Sequence, residues 1–391
     1  SSKKRKKSLS LCIKMKNQLL ASLAMALIFA VAVQSTAIEL PKMSFIEEVL
    51  SGEAFMKTDD VVVTDGGEAN LSKHSSSHHD KKPNAKQDMI KTVQGLISRI
   101  TPSIKDNFTL EIPSKIEKDS FKLTQTRDGK ISIEGSDGVA LASGYKYYLN
   151  NYLNASISWT GDNLSHINSS TEMPEIEHEG VEKVRFGEWS YYMNVCTESY
   201  SMVWWDWNRW EREIDWMAMR GVNMPLMFTG QEYIWVQTFY DYGLLFEDLK
   251  PYFSGPAFLA WQRMGNIQGW GGPLDEKWIN SQFDLGKKIF DRMREFGMKP
   301  VLPAFAGHVP DKFAELHPEA KITKSPTWNG FEDPYCCVSF LEPTDPLYQE
   351  VGEGFITNLI KYFGPNDHLY NGDQFNEMNP AQNDPTYLKE V

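Results

Sequence analysis

Apolar and polar positions first follow a regular pattern near residue 88. The first apolar residues recur at helical spacing and predict a helix that ends at Thr101-Pro102: Met89, Val93, Leu96, Ile97 and Ile100. Alternation then predicts strands at 108–112, 121–123 and 131–134, followed by a helix over 138–152. This order predicts a small α+β domain over residues 88–185, with no obvious chemistry of its own.

From about residue 191 short apolar strands alternate with long amphipathic helices. Strands are predicted at 191–196, 223–228, 299–304 and 368–375, and helices at 207–220, 232–242, 281–296 and 346–363. Short strands, long loops after their carboxyl ends and the absence of a Gly-rich phosphate loop favour a (β/α)₈ TIM barrel over a doubly wound sheet. Four periods are half of a barrel, so residues 186–391 are predicted to be the truncated first half of a TIM barrel.

The N-terminal region has the pattern of a targeting segment. Basic residues precede the uncharged apolar run Leu19–Val33, and small residues follow it, so residues 1–37 are predicted to be a signal peptide cleaved after Ala37. The run is short for a membrane span, although a signal anchor stays open. Residues 38–87 are polar and predicted to be a disordered linker. Five Asn-x-Ser/Thr sequons then indicate a glycoprotein that is lysosomal or secreted and leaves the membrane once the signal is removed: Asn70, Asn107, Asn154, Asn163 and Asn168.

Composition excludes some partners and cofactors. The net charge of −12 argues against nucleic acid, since phosphate binding needs a basic surface. Aromatic residues make up 13% of the chain, which suits either stacking on sugar rings or a large core. Outside the signal the cysteines are Cys196, Cys336 and Cys337, with no zinc-like spacing, and a strained bridge between the last two stays open. The acidic residues do not cluster with ligand spacing, so we expect no metal and no organic cofactor. Whether the full-length protein is a homo-oligomer is left open.

The residues after the carboxyl ends of the predicted strands are the candidates for chemistry, because barrel enzymes act at that face. They include Asn194, Cys196 and Tyr200 after the first strand and Asn376-Glu377 after the fourth. A glutamic acid at the end of a fourth barrel strand is typical of the acid/base in retaining glycosidases, where it protonates the departing sugar oxygen. The alternative for Glu377 is a surface carboxylate at a helix start. Glu232 and His308 also follow strands, but no role is assigned to them.

Long blocks of the sequence resemble a known family. The segments YYMNVCTESYSMVWWDWNRWEREIDWMAMRGVN, GQEYIW, FSGPAFLAWQRMGNIQGWGGPL, MKPVLPAFAGHVP and FNEMNP are similar to glycoside hydrolase family 89, the α-N-acetylglucosaminidases. The similarity extends back to GSDGVALASGYKYYLNNYL and covers roughly residues 88–391. The resemblance implies a retaining exo-glycosidase that removes terminal α-linked N-acetylglucosamine from glycans such as heparan sulfate.

The resemblance also implies a set of site residues. It makes Glu377 the acid/base, and around the terminal sugar it places Asn194, Cys196, Tyr200, Trp261, Met264, Trp328 and Asn376. Other interpretations stay open: Asn194 and Tyr200 could cap loops, Trp261 and Trp328 could be core, and Met264 could fill a gap. No nucleophilic role for the Cys196 thiol is implied.

The chain departs from the family in one important respect. The retaining mechanism needs a second carboxylate as nucleophile, and no part of this chain matches its motif, so we expect that residue beyond Val391. The chain alone is then expected to be inactive. The alternatives are a carbohydrate-binding or structural protein that has lost catalysis, and a barrel glycosidase of different anomeric preference.

Overall fold

A four-stranded sheet covered by two helices begins the structure. The computed structural model describes residues 85–115, 118–380 and 382–390, which leaves the predicted signal peptide and nearly all of the predicted linker outside the described residues. Helix α1 (Ala85–Ile100) begins three residues before the predicted boundary at residue 88. Ala85, Lys86 and Gln87 are good helix formers without apolar periodicity, so the pattern did not include them.

The first sheet has the order β1-β3-β2-β4. Its elements, after a 3₁₀ turn at Pro102–Asn107, are β1 (Phe108–Glu111), β2 (Ser120–Gln125), β3 (Ile131–Gly135), α2 (Gly138–Tyr152) and β4 (Val181–Val184). β1 is parallel to β3, while β2 is antiparallel to both β3 and β4. Leu123, Ile131 and Ile133 are fully buried under α2. The sequence did not predict β4, because its largely exposed residues do not alternate.

The second part of the chain is an alternation of strands and helices. Its helices are α3 (Val195–Thr197), α4 (Trp207–Met219), α5 (Gln231–Asp241), α6 (Phe246–Leu249), α7 (Leu259–Arg263), α8 (Glu276–Glu295), α9 (Asp311–Leu316), α10 (Pro346–Phe363) and α11 (Pro385–Glu390). Its strands are β5 (Tyr191–Tyr192), β6 (Met224–Pro225), β7 (Leu302–Pro303), β8 (His308–Val309), β9 (Ile322–Lys324), β10 (Ser339–Leu341) and β11 (Tyr370–Asn371). A π-helical turn covers Glu198–Met202, and a 3₁₀ turn covers Pro256–Phe258.

Four parallel strands lie side by side in chain order. β5 pairs with β6, β7 pairs with β11, and a parallel bridge from Leu226 to Val301 joins the two pairs. Their carboxyl ends therefore meet at one edge, and the parallel α/β architecture that the pattern predicted is confirmed. The strands are much shorter than predicted, because ladder pairing stops where the chain turns into the long loops.

The loop after the third parallel strand carries structure that the sequence did not predict. β8, β10 and β9 form an antiparallel sheet in that order, and Cys336 and Cys337 beside β10 are joined by a disulfide. The bridge that the sequence left open is therefore present. This small sheet places the segment around Trp328 next to the end of β11.

The two parts pack tightly against each other within one unit, Asp80–Val391. Arg99 on α1 donates two hydrogen bonds, of 2.8 and 2.7 Å, to the buried Asp215 on α4. Ser143 on α2 donates to the Ala218 carbonyl of α4 at 3.3 Å, and Trp210 on the same helix is buried. Within the described ranges, no helix combines the length and apolar character needed to cross a membrane.

Candidate active site

Glu377 lies just past the carboxyl end of β11 and is anchored by one side chain. The indole Nε1–H of Trp328 donates a hydrogen bond of 3.0 Å to its Oε2. Its backbone is left-handed, with φ of +53°, and its side chain is exposed. Glu377 is thus placed at the rim as the sequence predicted, but the described residues leave it open to solvent instead of surrounding it with apolar groups.

The neighbouring Asn376 is bound to the long second loop. Its Nδ2 donates to Oδ1 of the buried Asn266 at 3.1 Å, and Nδ2 of Asn266 donates to the Asn376 carbonyl at 2.8 Å. This double contact orients the backbone that precedes Glu377. The side chain of Asn376 keeps one N–H and its amide oxygen for a ligand.

The residues after β5 form one wall near Glu377. Asn194 is the N-cap of α3, where its Oδ1 accepts from the Thr197 backbone at 3.0 Å, so the capping interpretation of this residue is confirmed. Its side chain is exposed, and among the described residues its Nδ2 has no partner. Cys196 is half-buried, and burial together with the charge of Glu377 raises the pKa of its thiol. The thiol therefore stays neutral, as a packing group would.

Two aromatic residues extend this wall. Tyr200 and Trp261 meet edge to face with their ring centroids 5.4 Å apart, and Tyr200 is 69% exposed. Trp261 is half-buried in the short helix α7. An exposed phenol ring beside an indole offers the flat apolar surface on which a pyranose ring can pack.

Met264 is buried and lines a small cavity between the strand ends. Among the predicted site residues it is alone in contributing to that lining, which is polar on several sides: Gln231, Gln262, Arg263, His308, Asn371 and Asp373. The cavity holds about 30 Å³, which is space for a water molecule but not for a sugar. The residues described here therefore do not enclose a cavity of the size of a sugar ring.

Two titratable groups in this lining were not assigned a role from the sequence. Burial lowers the pKa of His308 to about 4, and its Nε2 has no partner among the described residues. Burial and the nearby charge of Glu377 raise the pKa of Asp373. His308 is thus a neutral imidazole, and Asp373 lies within the influence of the Glu377 charge. His308 follows the strand predicted at 299–304, whereas Asp373 fell inside the strand predicted at 368–375 and gave no such signal.

The tight contact between Gly265 and His308 yields a testable prediction. Gly265 has φ of +73°, and a Cβ at this position would lie 1.9 Å from Nε2 of His308. Gly265→Ala is expected to lower the free energy of unfolding by about 3 kcal/mol, since backbone strain and a clash with a buried ring add. Urea denaturation measures this, with Gly161→Ala as control because its Cβ would meet no atom within 4 Å. Equal midpoints for the two variants would contradict the geometry.

No metal centre is formed by the residues in the three described ranges. No group of three or more His, Cys, Asp or Glu side chains there is arranged to hold an ion.

Comparison with known proteins agrees over both parts of the chain. Residues 190–391 match the family described as the alpha-N-acetylglucosaminidase (NAGLU) tim-barrel domain, and residues 91–175 match the corresponding N-terminal domain. Human alpha-N-acetylglucosaminidase is 41% identical over 301 residues, which are 76% of this chain and 40% of that protein. The chain therefore spans about two fifths of the length of this relative.

Solved structures show the same similarity. A family 89 glycoside hydrolase from Clostridium perfringens in complex with PUGNAc superposes with a TM-score of 0.71 at 35% identity, over 76% of this chain and 34% of that one. A variant of the Clostridium enzyme with two glutamates replaced by glutamine, in complex with its substrate GlcNAc-alpha-1,4-galactose, matches with the same TM-score and coverage at 34% identity. With a barrel-domain match over more than half of its length, this chain belongs to the α-N-acetylglucosaminidase family, glycoside hydrolase family 89.

Proposed function

We propose that this chain is part of a retaining exo-glycosidase that hydrolyses terminal α-linked N-acetylglucosamine, with Glu377 as general acid/base. The observation that carries the proposal is the position of Glu377 after the fourth parallel strand, where it is hydrogen-bonded to Trp328 and near Cys196. The segment of Cys196 continues to Tyr200, whose ring contacts that of Trp261. In a family 89 enzyme this edge of the strands is where the scissile bond is expected.

The chemistry requires two carboxyl groups, of which this chain supplies the acid/base. Glu377 in its acid form donates a proton to the glycosidic oxygen as the C–O bond breaks and the second carboxylate bonds to the anomeric carbon. The Glu377 carboxylate then removes a proton from the water that attacks this glycosyl-enzyme, and the second carboxylate is released. Trp328 fixes Oε2 by its hydrogen bond, which leaves Oε1 for the proton transfer. Tyr200 and Trp261 pack against the terminal sugar, while Asn194 and Asn376 bind its substituents.

The second carboxylate is assigned outside the residues described. Retention requires a nucleophile about 5–5.5 Å from the acid/base. The substrate complex of the Clostridium enzyme was obtained with two glutamates replaced, which fits a pair of catalytic carboxylates. We therefore propose that β5, β6, β7 and β11 are the first half of a (β/α)₈ barrel, preceded by a small α+β domain over 88–185, and that the remaining half supplies the nucleophile and closes the sugar pocket.

The N-terminal segment and the sequons support a place for the protein in the secretory route. The segment 1–37 has the pattern of a signal peptide, and three sequon asparagines have exposed side chains: Asn154, Asn163 and Asn168. A secreted or lysosomal glycoprotein acting on glycans such as heparan sulfate fits these features. No cofactor enters this mechanism.

Substrate anomer and product stereochemistry test the function. The natural protein that contains this chain is expected to hydrolyse 4-nitrophenyl α-N-acetylglucosaminide and to leave the β-anomer intact, with α-N-acetylglucosamine as the first product in proton NMR spectra. Preference for the β-anomer would indicate a different barrel glycosidase. Binding of the α-anomer without hydrolysis would indicate a carbohydrate-binding protein that has lost catalysis, and either outcome would reject the proposal.

A further inference from the structure

Three charged side chains meet in the interior behind the aromatic wall. Arg263 donates from Nε and Nη2 to the two carboxylate oxygens of Glu232, at 2.8 and 3.0 Å, and from Nη1 to Oε2 of Glu198 at 2.7 Å. The side chains are 7%, 1% and 4% exposed, in the order Arg263, Glu232 and Glu198. This is a fully buried, doubly paired guanidinium, and none of the three residues has a place in the proposed chemistry.

The three residues come from three separate segments of the chain. Glu198 follows β5, Glu232 is in the first turn of α5 after β6, and Arg263 ends α7 in the long second loop. Separations of 65 and 31 residues lie between Arg263 and its two partners. The guanidinium therefore joins segments that are well separated along the chain.

The segments around Glu198 and Arg263, called here the two arms of the cluster, each carry residues of the proposed sugar wall. Cys196 and Tyr200 lie two positions before and after Glu198, while Trp261 lies two positions before Arg263 and Met264 directly follows it. The two arms are also joined by a hydrogen bond of 2.9 Å from the Ala260 backbone to Ser199 Oγ. The contact between the Tyr200 and Trp261 rings thus depends on how the cluster holds its two arms.

The same loop reaches the acid/base on its other side. Three residues beyond Arg263, Asn266 makes its double hydrogen bond with Asn376, the residue before Glu377. A continuous set of buried contacts therefore runs from Glu232 through Arg263 and Asn266 to the backbone of the acid/base. A shift of α7 would move both the aromatic wall and Glu377.

We propose that Arg263, held by Glu232 and Glu198, is a positioning residue that sets the distance between the sugar wall and Glu377; this rests on the proposed function. Burying a guanidinium and two carboxyl groups costs desolvation, and packed apolar residues would stabilise a core as well or better. What the cluster adds is geometry, since a bidentate guanidinium fixes both the direction and the separation of its partners.

The conservative variant Arg263→Lys tests the proposal, because lysine keeps the positive charge but cannot donate two parallel hydrogen bonds to one carboxylate. In the natural protein that contains this chain, kcat/KM for an α-N-acetylglucosaminide is expected to fall about 10²-fold, the scale that a misplacement of 1 Å produces. The matched control is Arg292→Lys, since Arg292 also bonds two carboxylates, Glu211 and Glu295, but away from the rim. The control is expected to keep the wild-type value.

Hydrogen exchange gives a readout that needs no turnover. In Arg263→Lys the amides of Ala260, Met264 and Asn266 are expected to exchange at least about tenfold faster, while Leu123 and Ile133 of the first sheet keep their protection. Should Arg263→Lys fail to fold, Glu198→Ala tests the same point, because it keeps the Glu232 pair and removes only the contact with the segment after β5. Unchanged exchange in the rim loops, or faster exchange throughout the chain, overturns the proposal. An inactive wild-type protein would reject the proposed function and leave the exchange result to decide on Arg263.

Discussion

Replacing Glu377 with glutamine is expected to lower kcat for a disaccharide substrate about 10³-fold, which lies within the range for loss of a general acid. Glutamine has the same shape and its side-chain oxygen still accepts from Trp328 Nε1, so the loop geometry is retained. What it cannot do is donate a proton to a departing sugar oxygen. KM is therefore expected to change little, and thermal unfolding of the variant should match that of the wild type.

The leaving group separates proton donation from a general loss of structure. A 2,4-dinitrophenyl leaving group departs without protonation, so the first step of Glu377→Gln should be nearly as fast as in the wild type with this substrate. Added azide should then raise turnover, because it attacks the glycosyl-enzyme without a base. Glu332→Gln is the control, an exposed carboxylate on the loop that carries Trp328. An equal loss with both leaving groups, or a comparable loss in the control, would remove Glu377 from its assigned role.

The sequence predicted the long helices of this fold, because their end signals are local, but not the helices of three to six residues. The helix predicted over 346–363 was found with those bounds, since Asp345 caps its first turn and Gly364 follows its last residue. The strands were predicted in the right places but too long, because apolar residues continue past the two residues that pair in each parallel strand. The antiparallel sheet at β8, β9 and β10 was missed, since strands of two or three residues are too short to show alternation.

The candidate site was predictable only where it depends on strand ends. That rule placed Glu377 and Asn376 at the rim, and it placed Glu232 and His308 there without a role. The pairing of Arg263 with Glu198 and Glu232 could not be predicted, because nothing in the local pattern shows which distant carboxylates share a guanidinium. Trp204, which precedes α4, is 67% exposed, whereas Trp210 on that helix is buried. Aromatic content alone does not distinguish core from surface.

The buried carboxylate of Glu198 is expected to make the free energy of unfolding depend on pH. Two carboxylates share one guanidinium, so protonating one of them leaves the cluster neutral. Burial, with repulsion from Glu232, accordingly raises the pKa of Glu198 from 4.5 to about 7, against the attraction of Arg263. The folded state then holds a proton that the unfolded chain releases. The stability that Glu198 contributes is therefore complete below pH 4.5 and is lost as the pH rises through about 7, a change on the order of 3 kcal/mol.

His308 acts in the opposite direction over nearly the same range. Burial lowers its pKa from 6.5 to about 4, so its contribution is complete above pH 6.5 and is lost as the pH falls through about 4. The two effects offset each other, and the wild-type profile alone does not reveal either. The difference in unfolding free energy between wild type and Glu198→Gln isolates one of them, because all other titrating groups cancel.

Urea denaturation of the two proteins between pH 4.5 and pH 7.5 measures this difference. The wild type minus Glu198→Gln value is expected to fall by about 3 kcal/mol as the pH rises across that window. The corresponding difference for His308→Gln is expected to rise instead, which checks the sign with a residue in the lining of the neighbouring cavity. A difference for Glu198→Gln that stays constant with pH would mean that this carboxylate is ionised in the folded state throughout. In that case the attraction of Arg263 would outweigh both the burial of Glu198 and its repulsion from Glu232.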